Sequence, residues 1–185
     1  MGMGRLLRAA ALATLLAACT ASGGDAMRPF ATMTLAPADA ATNLLAGGRV
    51  TLTFASPARA PSEGQDPLVR LTLQRADGRA MHFDQANHTP DDLNAQRAGG
   101  ALAQAMGLFN EEAPTLYRAS GPHAQSFLCG AEGPLNIGFI EYADGNVMLV
   151  GLKQNFEFET LADGTQAALP YSPDQVCARL RFTRG

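Results

Sequence analysis

Residues 70–84 read RLTLQRADGRAMHFD, from Arg70 to Asp84, and their pattern decides the fold class. Val69, Leu71 and Leu73 alternate with Arg70, Thr72 and Gln74, and after a short break Met81 and Phe83 alternate with His82 and Asp84. A period of two is that of a β-strand with one face in a core and the other in water. The break is Ala76-Asp77-Gly78; Asp tolerates tight turn geometry and Gly accepts positive φ, so Asp-Gly between two strands marks a hairpin. A two-residue turn at Asp77-Gly78 sets Leu73 opposite His82 and mixes the faces. A three-residue loop, Ala76 to Gly78, pairs Leu73 with Met81, Leu71 with Phe83, Thr72 with His82 and Arg70 with Asp84. Register follows the buried face, so the reading is a three-residue loop with Gly78 left-handed in a bulge.

The same pattern extends outward. Val50, Leu52 and Phe54 alternate with Thr51 and Thr53. Segments 135–142 and 146–152 are more uniformly apolar, as expected of strands covered on both faces. Ala-Asp-Gly recurs at 143–145 and 162–164, each time beside a strand-like run. From Met148 to Phe158 the even positions stay apolar except Gln154, which reads as one long bent strand, with a turn at Gln154-Asn155 as the competing reading. Residues 57–67 hold three prolines and a glycine and read as a long loop. Thr89-Pro90-Asp91-Asp92 carries a capping hydroxyl, a proline for the first helical position and acids for the first turn. Ala98, Leu102, Ala105, Met106 and Phe109 would share its buried face, with Gly99-Gly100 splitting it into two short helices or interrupting one. Pro173-Asp174-Gln175 reads as a brief turn before a last strand, Cys177 to Thr183. The expected fold is mainly β, a sandwich or barrel-like sheet with a small helical insertion, in one domain.

At the N-terminus, Arg5 and Arg8 precede an uncharged Ala- and Leu-rich run from Ala9 to Ala18. Its length fits a secretory signal and falls well short of the ~20 apolar residues of a membrane span. The run ends in Leu16-Ala17-Ala18-Cys19, which resembles the lipobox of bacterial lipoproteins: an aliphatic residue, two small residues and a cysteine. The resemblance implies a signal peptide over 1–18, cleavage before Cys19, a diacylglyceryl group and palmitate on that cysteine, and anchoring in a membrane, since two or three acyl chains hold stably where one does not. Thr20, where an Asp would favour inner-membrane retention, points to the periplasmic leaflet of the outer membrane. Residues 19–29 then read as a lipidated cysteine and flexible tether, and 30–185 as a single periplasmic domain.

Cleavage leaves 167 residues with 12 basic against 17 acidic side chains, a balance of −5. That excludes the basic face of a nucleic-acid binder and leaves the acyl chains to do the anchoring. With Cys19 assigned to lipid, Cys129 and Cys177 remain, and an even pair in an exported chain predicts a disulfide; two buried thiols or a metal site are the other readings.

The candidates for chemistry are few. His82, Asp84 and His88 form H-x-D-x3-H, whose residue types can hold a transition metal, although no recognised ligand spacing is matched. Solvated strand-face residues, with Asp84 meeting Arg70, are the alternative. His123 and Ser126 lie three apart, but Ser126-Phe127-Leu128-Cys129 reads as a strand entering the disulfide and lacks the sharp turn of a nucleophilic serine. Glu111 and Glu112 read as exposed residues ending the helical region. No nucleotide-binding or zinc-protease motif is present in the sequence, and no cofactor is expected. Lipobox, β-sheet and one disulfide are shared with small periplasmic lysozyme-inhibitor lipoproteins, whose serine-glycine and aromatic-lysine motifs this chain lacks. The sequence therefore predicts an envelope lipoprotein acting as a binding or interaction module for a protein or small ligand; a periplasmic hydrolase or metal-dependent enzyme using His82, Asp84, His88 or His123 is the alternative.

Overall fold

A computed structural model describes residues 26–59, 63, 68–87, 90–108, 112–121, 126–153, 158–160, 162–163, 166–168 and 173–184. Among them the chain forms β1 (Met27–Pro37), α1 (Ala40–Ala46), β2 (Val50–Pro57), β3 (Arg70–Arg75), β4 (Ala80–Gln85), α2 (Pro90–Gln96), α3 (Ala101–Met106) and β5 (Thr115–Ala119). It continues through β6 (Asn136–Glu141), β7 (Val147–Leu152), β8 (Phe158–Thr160), β9 (Gln166–Ala168) and β10 (Val176–Arg184). Eight strands close a barrel in the order β1-β10-β7-β6-β5-β4-β3-β2, all antiparallel, while β8 and β9 pair only with each other. Of the two β architectures left open by the pattern, the chain adopts the barrel. Closure leaves few strand edges to pair with other chains.

The β3–β4 hairpin has the register set by its apolar face: Leu73 opposite Met81, Leu71 opposite Phe83, Thr72 opposite His82 and Arg70 opposite Asp84. Gly78 sits at φ 88° and its N–H donates to Arg75 O, while Arg75 N–H donates to Arg79 O and Asp77 Oδ1 accepts from Arg79 N. The second Ala-Asp-Gly builds the same loop between β6 and β7: Gly145 lies at φ 80°, its N–H donates to Tyr142 O, Tyr142 N–H donates to Asn146 O and Asp144 Oδ1 accepts from Asn146 N. The third, with Gly164 outside the described residues, joins β8 to β9.

Leu35, Leu52, Leu71, Leu73, Phe83, Leu149, Leu180 and Phe182 point inward, fully or almost fully buried, and fill the barrel. Thr72, Gln74, His82 and Asp84 face outward. On this face an apolar lumen lies behind a polar surface, the inverse of a lipid-embedded barrel.

Several expectations need correction. The long bent strand is broken: β7 ends at Leu152, which pairs with Val176, and Phe158 pairs with Ala168 in the separate ribbon. β10 occupies the edge of β7, and Lys153 N–H donates to Gln175 O as the chain turns away; Gln154-Asn155 lies outside the described residues. Ser126-Phe127-Leu128-Cys129 is a loop and not a strand. Its Leu128 is buried in the barrel core, and Phe127 carries the Arg75 and Arg79 guanidinium groups 5.3 and 5.8 Å from its ring centroid. Strand β1 reaches back into the stretch 19–29 read as tether, with Met27 opposite Pro57 and a bulge between Pro29 and Ala31.

Strand β1 and helix α1 went unread, although Thr32-Met33-Thr34-Leu35 alternates and Asp39 caps the helix by accepting from Thr42 N at 2.7 Å. That bond holds the Asp39 carboxyl below the usual range. The strands are staggered so that β1 meets β10 only from Leu35 to Pro37. Beyond that, α1 takes over the edge of β10: Ala38 N–H donates to Arg181 O, and Arg181 N–H donates to Thr42 Oγ1.

Near one end of the lumen Phe54, Tyr117 and Phe139 pack edge-on, with Phe54–Phe139 centroids 5.5 Å apart and Tyr117–Phe139 rings perpendicular at 6.3 Å. Burial pushes the Tyr117 phenol up to about 12. The folded chain holds this proton more tightly than the unfolded chain, whose tyrosine ionises near 10. Its contribution is therefore intact below pH 10 and lost as pH rises toward about 12. Urea denaturation at pH 8 and pH 11.5 should show a loss of about 2 kcal/mol that Tyr117→Phe removes.

Candidate functional site

The apolar outer faces of β6 and β7 are explained by the helices. α2 starts at Pro90, and Gly99-Gly100 splits it from α3, whose Leu102, Ala105 and Met106 are buried against Ile140, Met148, Val150 and Leu152. Leu102, Ala105 and Met106 thus face the wall as their spacing predicts; Ala98 does not and is exposed, and Phe109 lies outside the described residues. Contact is close because Gly138 offers no side chain: a Cβ there would stand 2.7 Å from Met106 Sδ and 2.9 Å from Leu102 Cδ1. Arg179 on β10 caps the C-terminus of α3, donating to Ala105 O and Met106 O at 2.8 and 2.9 Å, where a cation also meets the helix dipole favourably. Gln96 stitches the helical pair to the sheet by donating to Ala86 O and accepting from Leu116 N.

Where α3 ends, the described residues form a cleft of about 450 Å³. Met106, Gly107 and Leu108 form one side, Tyr142, Asp144 and Asn146 of the β6–β7 loop another, and Arg181 with Ala38 a third. Val147, Met148 and Phe182 also line it, and Glu112 stands at its edge. Asp144 is held by the Asn146 side-chain amide, which donates to Oδ2 at 2.7 Å. The Tyr142 phenol is raised above its usual range, first by burial, then by the Glu112 and Asp144 carboxylates, against an opposing effect of Arg181. It stays protonated at neutral pH, with its oxygen able to accept and its O–H able to donate.

No protein-family model, characterised protein or solved structure matches the chain. The cleft therefore has to be read from its own chemistry.

The residues picked out in the sequence lie elsewhere. His82 is exposed on the barrel wall, its Nδ1 2.9 Å from Thr72 Oγ1. Asp84 shares its face, as alternation requires, but accepts from Arg70 Nε at 2.8 Å and from Arg70 Nη2 at 3.1 Å. The fork strengthens this pair, and its desolvation is partial. His88, His123, Glu111 and Cys19 lie outside the described residues. Among the described residues no three His, Cys, Asp or Glu side chains are grouped to hold a metal. Ser126 Oγ donates to Leu128 O at 2.6 Å within its loop. Cys129 and Cys177 stand at bonding distance, S–S 1.97 Å and Cα–Cα 5.1 Å, tying the β5–β6 connection to β10. Glu112, read as an exposed helix end, is half-buried at the cleft. Tyr142 and Arg181 were missed, because each looks like an ordinary outward strand-end residue until helix, loop and strand meet.

Proposed function

We propose that the chain is a bacterial lipoprotein, held on the periplasmic leaflet of the outer membrane through acylated Cys19, whose barrel is a binding module. The cleft beside α3 carries this reading, because it joins apolar and charged groups in one recess while the barrel interior is filled with side chains. Small-ligand sites have that composition: a mostly apolar lining with a few placed polar groups. His82 and Asp84, the pair on which a metal or hydrolase reading leans, are bonded to their neighbours on the wall. β1 enters the barrel at the end that carries the helical pair and the β6–β7 loop, so a lipid on Cys19 holds that end toward the bilayer.

Cys19→Ser should abolish both palmitate incorporation and membrane retention; a mutant that still labels and sediments with membranes overturns the anchor. In a deletion strain under an envelope stress that reveals a phenotype, Tyr142→Ala/Glu112→Arg should fold but fail to complement, while the triple variant His82→Ala, His88→Ala, His123→Ala should complement. The opposite pattern moves the function to the histidines.

A further inference from the structure

We infer that the uncovered stretch of β1 around Phe30 seats against the bilayer surface; this rests on the acylated Cys19 proposed above. The stagger of the strands leaves Met27 to Thr34 with β2 as their one strand neighbour among the described residues. Paired residues share a face of the sheet, so Ala31 and Met33 point the way of Phe54 and Leu52, which are buried. Yet Ala31 and Met33 are half-exposed, as is Phe139, whose ring lies 5.5 Å from that of Phe54. Phe30 stands at the rim, 62% exposed, with its ring centroid 6.4 Å from that of Phe54. The core therefore reaches the surface here as one apolar patch, and Phe30 is not a single stray side chain.

Another chain and the bilayer compete to cover such a patch. Another strand would have to add to the free edge of β1. Pro29 offers no N–H there, and the bulge between Pro29 and Ala31 breaks the repeat of donors and acceptors. Lipid needs no register. The leash makes the bilayer the neighbour: Met27 lies eight residues beyond Cys19, and residues 20–26 are small or polar. A flexible chain of that length spans about 15 Å on average and ~28 Å at full stretch. Phe30 follows about 10 Å further along the strand. Acyl chains in the membrane thus hold the patch at high effective concentration beside the lipid, where weak apolar burial suffices to seat it. Arg28, exposed two residues before Phe30, has the reach to keep its guanidinium among the headgroups.

The chain contains no tryptophan, so Phe30→Trp supplies a single fluorescent reporter. Leu44→Trp is the control, because Leu44 is 84% exposed on α1, beyond the opposite end of β1. Each full acylated chain, its acyl groups read from its mass, goes into phosphatidylcholine vesicles with or without bromine on the upper acyl carbons. The reporter at position 30, seated about 5–10 Å into the headgroup boundary, should lose about half of its emission to bromine. The reporter at position 44 should lose none. An acylated chain whose reporter at position 30 escapes quenching overturns the inference and leaves the anchor standing; if that emission is blue-shifted, a protein covers the patch instead. Equal quenching at both positions also overturns it, since the bilayer then does not select this patch. A chain that carries no acyl groups sinks the anchor and the inference with it.

Discussion

Replacing Cys129 and Cys177 with serine should cost the protein about 4 kcal/mol, the chain-entropy value for a loop of roughly 49 residues. The bridge ties the loop holding Leu128 in the core to the first residues of β10. Cys129 itself sits at φ 61°, a left-handed position that a non-glycine residue adopts at a cost. The bridge is packed against the sheet: a Cβ on Gly151 would lie 2.9 Å from Cys129 Sγ and 3.4 Å from Cys177 Sγ. The urea midpoint should fall by about 2 M for a domain with a slope near 2 kcal/mol/M. Alkylation of the denatured protein without reductant should modify neither cysteine, and stoichiometric modification of both would refute the bridge.

Phe83→Ala should destabilise the barrel by about 3–5 kcal/mol, while His82→Ala, one residue away on the same strand, should change stability by less than about 1 kcal/mol. Phe83 is fully buried in the lumen between Leu71 and Ala119. Its loss removes both transfer free energy and packing, and a closed barrel relaxes little around the void. His82 stands in water with Thr72 as its neighbour. Equal effects from the two substitutions would mean that the strand register is wrong, since a slip of one residue exchanges the faces.

The loop register from Arg70 to Asp84, the Arg70–Asp84 pair, the helix start at Pro90, the turn at Pro173–Gln175 and the cysteine pairing were all legible in the residues. Each follows from alternation, turn chemistry or counting, which act between near neighbours or within one composition. The errors fell where a distant element intervened. The apolar even positions after Met148 looked like one continuous strand, yet β7 ends at Leu152 and Phe158 pairs with Ala168 in a separate ribbon. The apolar approach to Cys129 looked like a strand, yet Leu128 enters the core from a loop.

By itself, then, the sequence determined that the chain is β-rich, which faces of its hairpins are buried, and that its cysteines pair once Cys19 is set aside. Tertiary structure alone decided that the strands close a barrel and that α3 lies on Gly138. It also decided that Ala38, Leu108, Glu112, Tyr142 and Arg181 meet around one cleft. The physical reason is range: a period of two records which face is buried but not what buries it. Strand stagger and helix docking, which bring residues 38 and 181 together, depend on long-range packing that no local pattern carries.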